Sequence, residues 1–385
     1  MLYIVIILIL LYSLLFHIQW KLRSCFWSKM PMLFYHKMYL LLCHSNRNIL
    51  DINTLYSPKL TNHYNITTKP FYMDTFTDTQ QFELLNFIKH HTRYYNSSLS
   101  FSNEIIRNPN IFLSQYNGTN SYLSTYHSTK REGVLCNKSY EISIDNRTIK
   151  TSLFMFLSVN SKKDTQQKKK ITTQLLYNGT MVVMKQTTQN CIFTTSRKIT
   201  NVIPLVTYND FIFDITYFSH QPYDKLYKLT KITTSNFNLL NSLFEKKPEL
   251  FQVYLLPEVS NIFEMIQYDN LHIFTVNHKN DISCLYVFKN NLMLYNGKKI
   301  FTLISSICIE EDHTILFMNN LYNCIDYLKK NETIEYISIS NTSHNTKLLK
   351  GVKIKYKEVC KQQQYWYMIN YILAPVKSND VFLLY

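Results

Sequence analysis

Ser152-Leu153-Phe154-Met155-Phe156-Leu157-Ser158-Val159-Asn160-Ser161-Lys162-Lys163 is the stretch whose reading decides the fold. Its first eight residues are rich in apolar and aromatic side chains and read as a strand. The polar, lysine-rich segment from 160 to 170 then separates that strand from a helix. Working outward, Ser139-Tyr-Glu-Ile-Ser-Ile alternates as a second strand. Phe82-Glu-Leu-Leu-Asn-Phe-Ile-Lys has helical spacing. Tyr177-Asn-Gly reads as a turn leading into a further strand over 180–185. A second set of helices and strands begins after Leu229 and ends in strand-like segments at 365–374 and 381–385. Strands mixed with helices in two halves of similar size predict an α/β (α+β) class. No repeat recurs at a solenoid period.

The 385 residues allow two or three domains, or one large domain with internal duplication. Hydrophobic residues make up 46% of the chain, which excludes global disorder. Alanine is nearly absent and Gly numbers only 5, whereas Tyr reaches 30 and Phe 24, the pattern expected of AT-rich codons. Lysine-rich coding accounts for part of the +15 net charge; the remainder suits an anionic partner such as a phosphorylated cofactor or an acidic membrane face. The eight Cys are scattered without a CxxC pair or Cys/His ligand spacing, so they read as reduced thiols. Sequons at Asn65, Asn117 and Asn178 are what an Asn- and Thr-rich chain produces by chance. There is no G-x-G-x-x-G, P-loop, G-x-S-x-G or H-E-x-x-H motif.

Residues 1–20 hold no Lys, Arg, Asp or Glu. About twenty helical residues span the ~30 Å of hydrocarbon. No basic residue precedes the apolar run, and Ser24-Cys25-Phe26 is a poor cleavage site, so a cleaved signal peptide is disfavoured. Lys21, Arg23 and Lys29 follow the run and place the body in the cytosol, behind a single-pass N-terminal membrane anchor. A buried or membrane-surface helix is the alternative. Residues 32–43 are too short to span and read as buried or interfacial.

Several segments, taken in order, resemble the eukaryotic-type glycylpeptide N-myristoyltransferase family. Phe26-Trp27-Ser-Lys-Met-Pro31 is similar to its acyl-CoA-holding entry segment, and Phe71-Tyr-Met-Asp-Thr75 to its Gly-Phe-x-Trp-Asp strand. Phe156-Leu157-Ser-Val-Asn-Ser-Lys162-Lys163 resembles its Phe-Leu-Cys-Val-His-Lys-Lys block. Ile192-Phe-Thr194-Thr, followed by Tyr208, resembles Val-Tyr-Thr-Ala and Tyr-Trp-His. Lys225-Leu-Tyr-Lys-Leu229 is almost its Lys-Leu-Tyr-Arg-Leu, and Gln364 to Asn370 with Val381-Phe-Leu-Leu-Tyr385 looks like its closing strands.

The resemblance implies two fused GNAT-type acyltransferase halves forming one saddle-like sheet. After the anchor at 1–20, residues 21–220 would carry the acyl-CoA site and residues 221–385 the peptide groove. It implies myristoyl-CoA as co-substrate, no permanently bound cofactor and no metal. The partners would be N-terminal glycine peptides and a membrane, and no nucleic acid. Successive backbone N–H groups at Phe156 and Leu157 would form the oxyanion hole. Phe26, Trp27, Lys162, Lys163, Thr165 and Lys168 would bind CoA, and Tyr95, Thr194 and Tyr208 the acceptor. The α-carboxylate of Tyr385 would be the base. An exposed carboxylate near ~3.5 faces an amine near ~8, a gap worth ~6 kcal/mol that burial must close. The apolar approach Val381-Phe382-Leu383-Leu384 suits such burial.

Departures accompany the likeness. Met155 stands where the family has an Asn that helps hold the glycine amine, and Asp210 where it has His. The acidic loop that reads basic peptides is missing between Tyr95 and Phe101, and Lys353-Ile-Lys-Tyr-Lys replaces a glycine-rich loop. Two rival expectations remain: a catalytically inactive relative that binds lipid, peptide or partner, and an unrelated membrane-anchored structural protein.

Overall fold

The computed structural model describes residues 30–44, 47–49, 65–72, 75–92, 96–117, 120–144, 147–186, 190–216, 227–240, 250–278, 281–309 and 314–385, with a few positions before residue 19. The expected anchor at 1–20 lies for the most part outside the described residues, among which no helix is long and apolar enough to cross a membrane. Of residues 32–43, Met32, Leu33 and Phe34 are buried, whereas Tyr35, Met38, Tyr39 and Leu42 are exposed.

The strands are β1 (Arg47–Asn48), β2 (Ile66–Pro70), β3 (Leu99–Phe101), β4 (Ser121–His127), β5 (Arg131–Ile144), β6 (Arg147–Val159), β7 (Cys191–Thr195) and β8 (Val206–Asp214), followed by β9 (Lys228–Lys231), β10 (Val253–Leu256), β11 (Leu271–His278), β12 (Asp281–Tyr295), β13 (Lys298–Cys308), β14 (Tyr336–Ser340), β15 (Glu358–Ile369), β16 (Tyr371–Ile372) and β17 (Val381–Leu383). The longer helices are α1 (Asp78–His91), α2 (Thr165–Gln186), α3 (Val259–Gln267), α4 (Thr314–Glu332) and α5 (Asn345–Lys355). Helix α1 starts at a capping box between Thr77 and Gln80 and buries Leu84, Leu85 and Ile88, the apolar spacing seen in the sequence.

One long sheet runs β17-β10-β5-β6-β7-β15-β8-β14-β13-β12-β11-β9, with β2, β3 and β4 joined beside it. A single unit is used twice. The antiparallel meander β4–β5–β6 is followed by helix α2 and by β7, parallel to β6. The meander β11–β12–β13 is followed by α4 and by β14, parallel to β13. The units exchange strands where they meet: β8 pairs with β14 and β15, and β15 pairs with β7 and β8. The sheet is therefore continuous across the middle of the chain. Each helix covers its own core, α2 over Leu135, Phe154 and Phe193, and α4 over Phe274, Phe288 and Phe301.

One local expectation is corrected. Residues 177–185 are not a turn and strand but the second half of α2. Gly179 is there for close approach rather than for turning, since a Cβ on it would meet Leu135 Cδ2 at 2.7 Å. The lysine run likewise belongs in part to α2, which starts at Thr165 because Asp164 Oδ1 accepts a hydrogen bond from Gln167 N at 2.8 Å. Gly133 on β5 makes the matching allowance, as its Cβ would sit 2.7 Å from both Ile171 Cγ2 and Leu175 Cδ1. Replacing Gly133 by Val is expected to lift α2 off β5 and cost ~1–3 kcal/mol. Thermal unfolding of the variant measures it, and an unchanged midpoint would show that the helix seats elsewhere.

Candidate functional site

The two units share a defect in the same place. In β6 the register passes from Asn137↔Phe154 to Leu135↔Leu157, so one extra residue bulges at Met155–Phe156. The parallel ladder to β7 ends just there, at Phe154↔Phe193. In β13 the register passes from Phe288↔Leu303 to Val287↔Ser305, a bulge at Ile304, and the ladder to β14 ends at Leu303↔Ile339. Beyond each point the two strands diverge.

The second opening is filled by the protein itself. Leu383 N donates to Ser305 Oγ at 3.0 Å, Ser306 N to Ser343 Oγ at 3.0 Å, and Cys308 N to His344 Nδ1 at 2.9 Å. The first opening holds a cavity of about 420 Å³. Leu135, Phe154, Met155, Leu157, Leu176 and Phe193 form its apolar wall, and Thr194, Arg197 and Lys198 its polar rim. Its size falls in the ~300–1,000 Å³ range of small-molecule sites.

A second cluster surrounds the last residue of the sequence. Strand β17 pairs with β10 and buries Val381, Phe382, Leu383 and Leu384, which leads Tyr385 inward. The Tyr385 and Tyr208 hydroxyls share a hydrogen bond of 3.2 Å, and Trp366 Nε1 donates to Tyr208 at 3.2 Å. On the same face of β8, half-buried Asp210 accepts from Ser340 Oγ at 2.5 Å. Burial pushes the Asp210 carboxyl up to about 6, against the pull of hydrogen bonds from Ser340 and Gln364. Two buried lysines lie nearby, one of them against Tyr385. Lys289 Nζ sits 5.2 Å from the Tyr385 ring and 3.4 Å from Gln115 Oε1. Lys138 Nζ sits 4.7 Å from the Tyr140 ring and 3.9 Å from Met265 Sδ. Burial lowers the Lys289 amine to about 7; burial, then the charge of Lys289, holds Lys138 well below its ordinary value.

The residues singled out in the sequence are distributed as follows. Leu157 and Thr194 line the cavity. Phe156 turns its ring to Phe112 at 4.9 Å and Phe101 at 6.0 Å instead. Tyr208 and Tyr385 meet. Lys162, Lys163, Thr165 and Lys168 do not line the cavity. Lys162 and Thr165 are exposed, Lys168 is half-buried and Lys163 forms a 2.6 Å ion pair with Glu132. Phe26, Trp27 and Tyr95 lie outside the described residues. Sequence reasoning missed Arg197 and Lys198, although a basic pair directly after an apolar strand was available as a signal. It also missed Lys138 and Lys289, for which no local signal exists.

Two meander–helix–strand units, each with a bulged and splayed strand pair, define a duplicated α/β architecture. It is the fold of N-myristoyltransferase. A structure of the Saccharomyces cerevisiae enzyme with bound myristoyl-CoA matches with a TM-score of 0.73 over 92% of this chain and 90% of the other, at 12% identity. A second gives 0.71 over 92% and 94% at 13% identity, and one with myristoyl-CoA and inhibitors gives 0.71 over 91% of each chain at 13%. At such identities the likeness is one of fold. No family model and no curated protein matches the sequence.

The buried amine of Lys289 sets a pH dependence. The folded chain holds that proton less tightly than the unfolded chain, so folding is penalised below about pH 7, and the penalty fades as pH rises toward the unfolded value near ~10.5. Lys289→Met is expected to raise the thermal midpoint most at pH 6 and least near pH 10, for a gain in stability on the order of a few kcal/mol at most. A difference that does not vary with pH would show that Lys289 is charged and paired in the fold.

Proposed function

We propose that this chain is an acyl-CoA-dependent N-acyltransferase that moves myristate from myristoyl-CoA to the amine of an N-terminal glycine. The observation that carries the reading is the contrast between the two splayed pairs. The protein fills one with its own Ser343, His344 and Leu383, and it leaves a cavity of about 420 Å³ at the other, apolar inside with Arg197 and Lys198 at the rim. An acyl chain suits that wall and CoA phosphates suit that rim. The solved structures of the same fold with bound myristoyl-CoA support the choice of donor.

In this reading the thioester carbonyl lies at the β6 bulge. Backbone amides of Phe156 and Leu157 would stabilise the developing oxyanion, at ~3 kcal/mol per donor. The acceptor amine gives a proton to the α-carboxylate of Tyr385 and attacks the carbonyl carbon. The C–N bond forms, the C–S bond breaks and the thiolate leaves as CoA-SH with the amine's second proton. Thr194 and Tyr208 face the acceptor, and Lys162, Lys163 and Lys168 add positive charge for the phosphates. A second reading, a binding protein without turnover, is favoured by Met155, an apolar side chain where the family has an amine-holding Asn.

Acyl-CoA binding and glycyl-peptide acylation by the full chain test both. Leu176→Trp is expected to abolish binding, the Lys162/Lys163/Lys168→Ala variant to weaken it in a salt-dependent way, and a two-residue C-terminal extension to cut turnover ~10²–10⁴-fold with binding intact. Binding without turnover in the native chain selects the second reading, and no binding at all removes both.

Residues 1–20 we propose as a membrane anchor with the body on the cytosolic side, supported by their lack of charge and by Lys21, Arg23 and Lys29 directly after them. Protease added to the cytosolic face of sealed membranes is expected to digest the body; glycosylation at Asn117 or Asn178 would reverse the topology.

A further inference from the structure

Away from the cavity, Asp269, His272 and Glu332 bring one donor atom each to within 4.8 Å of one another. They come from three elements. Asp269 sits in the turn between α3 and β11, in a left-handed conformation with φ of 54°. His272 is the second residue of β11, and Glu332 is the last of α4. The site shares no residue with the cavity or with the Tyr385 cluster.

His272 is the observation that makes this more than two acidic side chains near each other. It is 0% exposed, and neither ring nitrogen has a hydrogen-bond partner of good geometry, the Asp269 backbone offering it only a loose one. A buried imidazole without a well-placed partner is rare and calls for a reason, of which an ion is one. Phe301, with its ring centroid 5.1 Å away, fixes the imidazole plane.

Cations already stand at both carboxylates. Lys231 Nζ is 3.3 Å from Asp269 Oδ1, and Lys299 Nζ is 3.1 Å from Glu332 Oε2. Both lysines have somewhere else to go. Lys299 is also 3.5 Å from Glu104 Oε2, and Lys231 lies 5.8 Å from the Tyr327 ring. Partly exposed ion pairs of this kind are weak, so they do not bar a stronger ligand of the carboxylates.

We propose that Asp269, His272 and Glu332 form a site for a first-row divalent cation, with Zn²⁺ the preferred occupant. One imidazole nitrogen and two carboxylate oxygens leave a fourth, tetrahedral position for water. Zinc bonds of ~2.0–2.2 Å put donors roughly 3.3 Å apart, so the three must close in, which the more exposed Asp269 and Glu332 side chains can do by rotation. Magnesium and calcium want a larger set of oxygens, and an imidazole selects against them. The ion would tie the end of α4 to β11 and to the α3–β11 turn. These elements flank edge strand β9, where Lys231 now supplies the link.

The test is Zn²⁺ titration of the chelator-treated full chain in detergent, by calorimetry and by thermal unfolding. One ion per chain with micromolar affinity is expected, with a rise of ~2 °C or more in the midpoint at saturation. Asp269→Asn and Glu332→Gln are surface changes that leave the fold intact, and each is expected to weaken binding by at least ~tenfold. His272→Phe keeps the ring shape and removes the orphan nitrogens, so it should abolish binding without lowering the metal-free midpoint. Co²⁺ in place of Zn²⁺ should give a visible spectrum without a thiolate charge-transfer band. Absence of saturable binding, binding unchanged in Glu332→Gln and His272→Phe, or a thiolate band from cysteine ligands would each overturn the site. None of these readouts depends on acyl transfer, so the site and the proposed activity stand or fall separately.

Discussion

Parallel strands that stop exchanging hydrogen bonds in the middle of a sheet leave two edges of backbone N–H and C=O groups needing partners. The cavity of this chain follows from that constraint at Phe154↔Phe193, and the self-filled opening from the same constraint at Leu303↔Ile339. Insertion of β15 and β8 between β7 and β14 holds the diverging strands apart, since each outer strand is paired on its far side to a strand from the other unit. At the second opening, the turn before α5 and the end of the chain supply the missing partners. At the first opening none of the described residues enters in an equivalent way, and the gap becomes a cavity. Duplication followed by filling of one copy gives a single asymmetric site from a nearly symmetric frame.

The electrostatics around Tyr385 are asymmetric in a similar way. Asp210 lies on the β8 side, with a carboxyl that burial makes easier to protonate, and Lys138 and Lys289 lie on the β5 and β12 side, with amines that burial makes harder to protonate. All three shifts favour the neutral forms, so the cluster carries less charge at neutral pH than its composition suggests. Asp210 and Lys289 are thereby brought closer to neutrality than an ordinary exposed carboxylate or lysine.

What the sequence made legible were elements whose own side-chain period carries the signal. The strands at 139–144 and 152–159 and the helix around Leu84, Leu85 and Ile88 are of this kind. The Tyr177-Asn-Gly segment misled because a local turn preference was overridden by packing of α2 on β5, where glycine serves contact distance. The bulge at Met155–Phe156 left no trace, because it exists only relative to β5, and the splay only relative to strands far away in sequence. For Lys138 and Lys289 nothing local announces that α3 covers one and that Tyr385 lies over the other. Asp269, His272 and Glu332 are scattered over sixty residues in no motif, and only the sheet brings them together.

The order in which strands are made differs from the order in which they lie. Residues 141–144 of β5, paired with β6 on one side, gain a partner on the other from β10, and β10 gains its own outer partner from β17. More than two hundred residues separate β5 from β17 along the chain, ~12–47 s of synthesis at ~5–20 residues per second. During that interval the first unit has its meander, its helix and the wall of its cavity, yet one margin of its sheet is an open strand edge. Such an edge is a site for wrong pairing, and long-range closure of this sort makes folding slow. The nascent first half is thus the form of this protein most in need of a chaperone, and the one most prone to join another copy of itself.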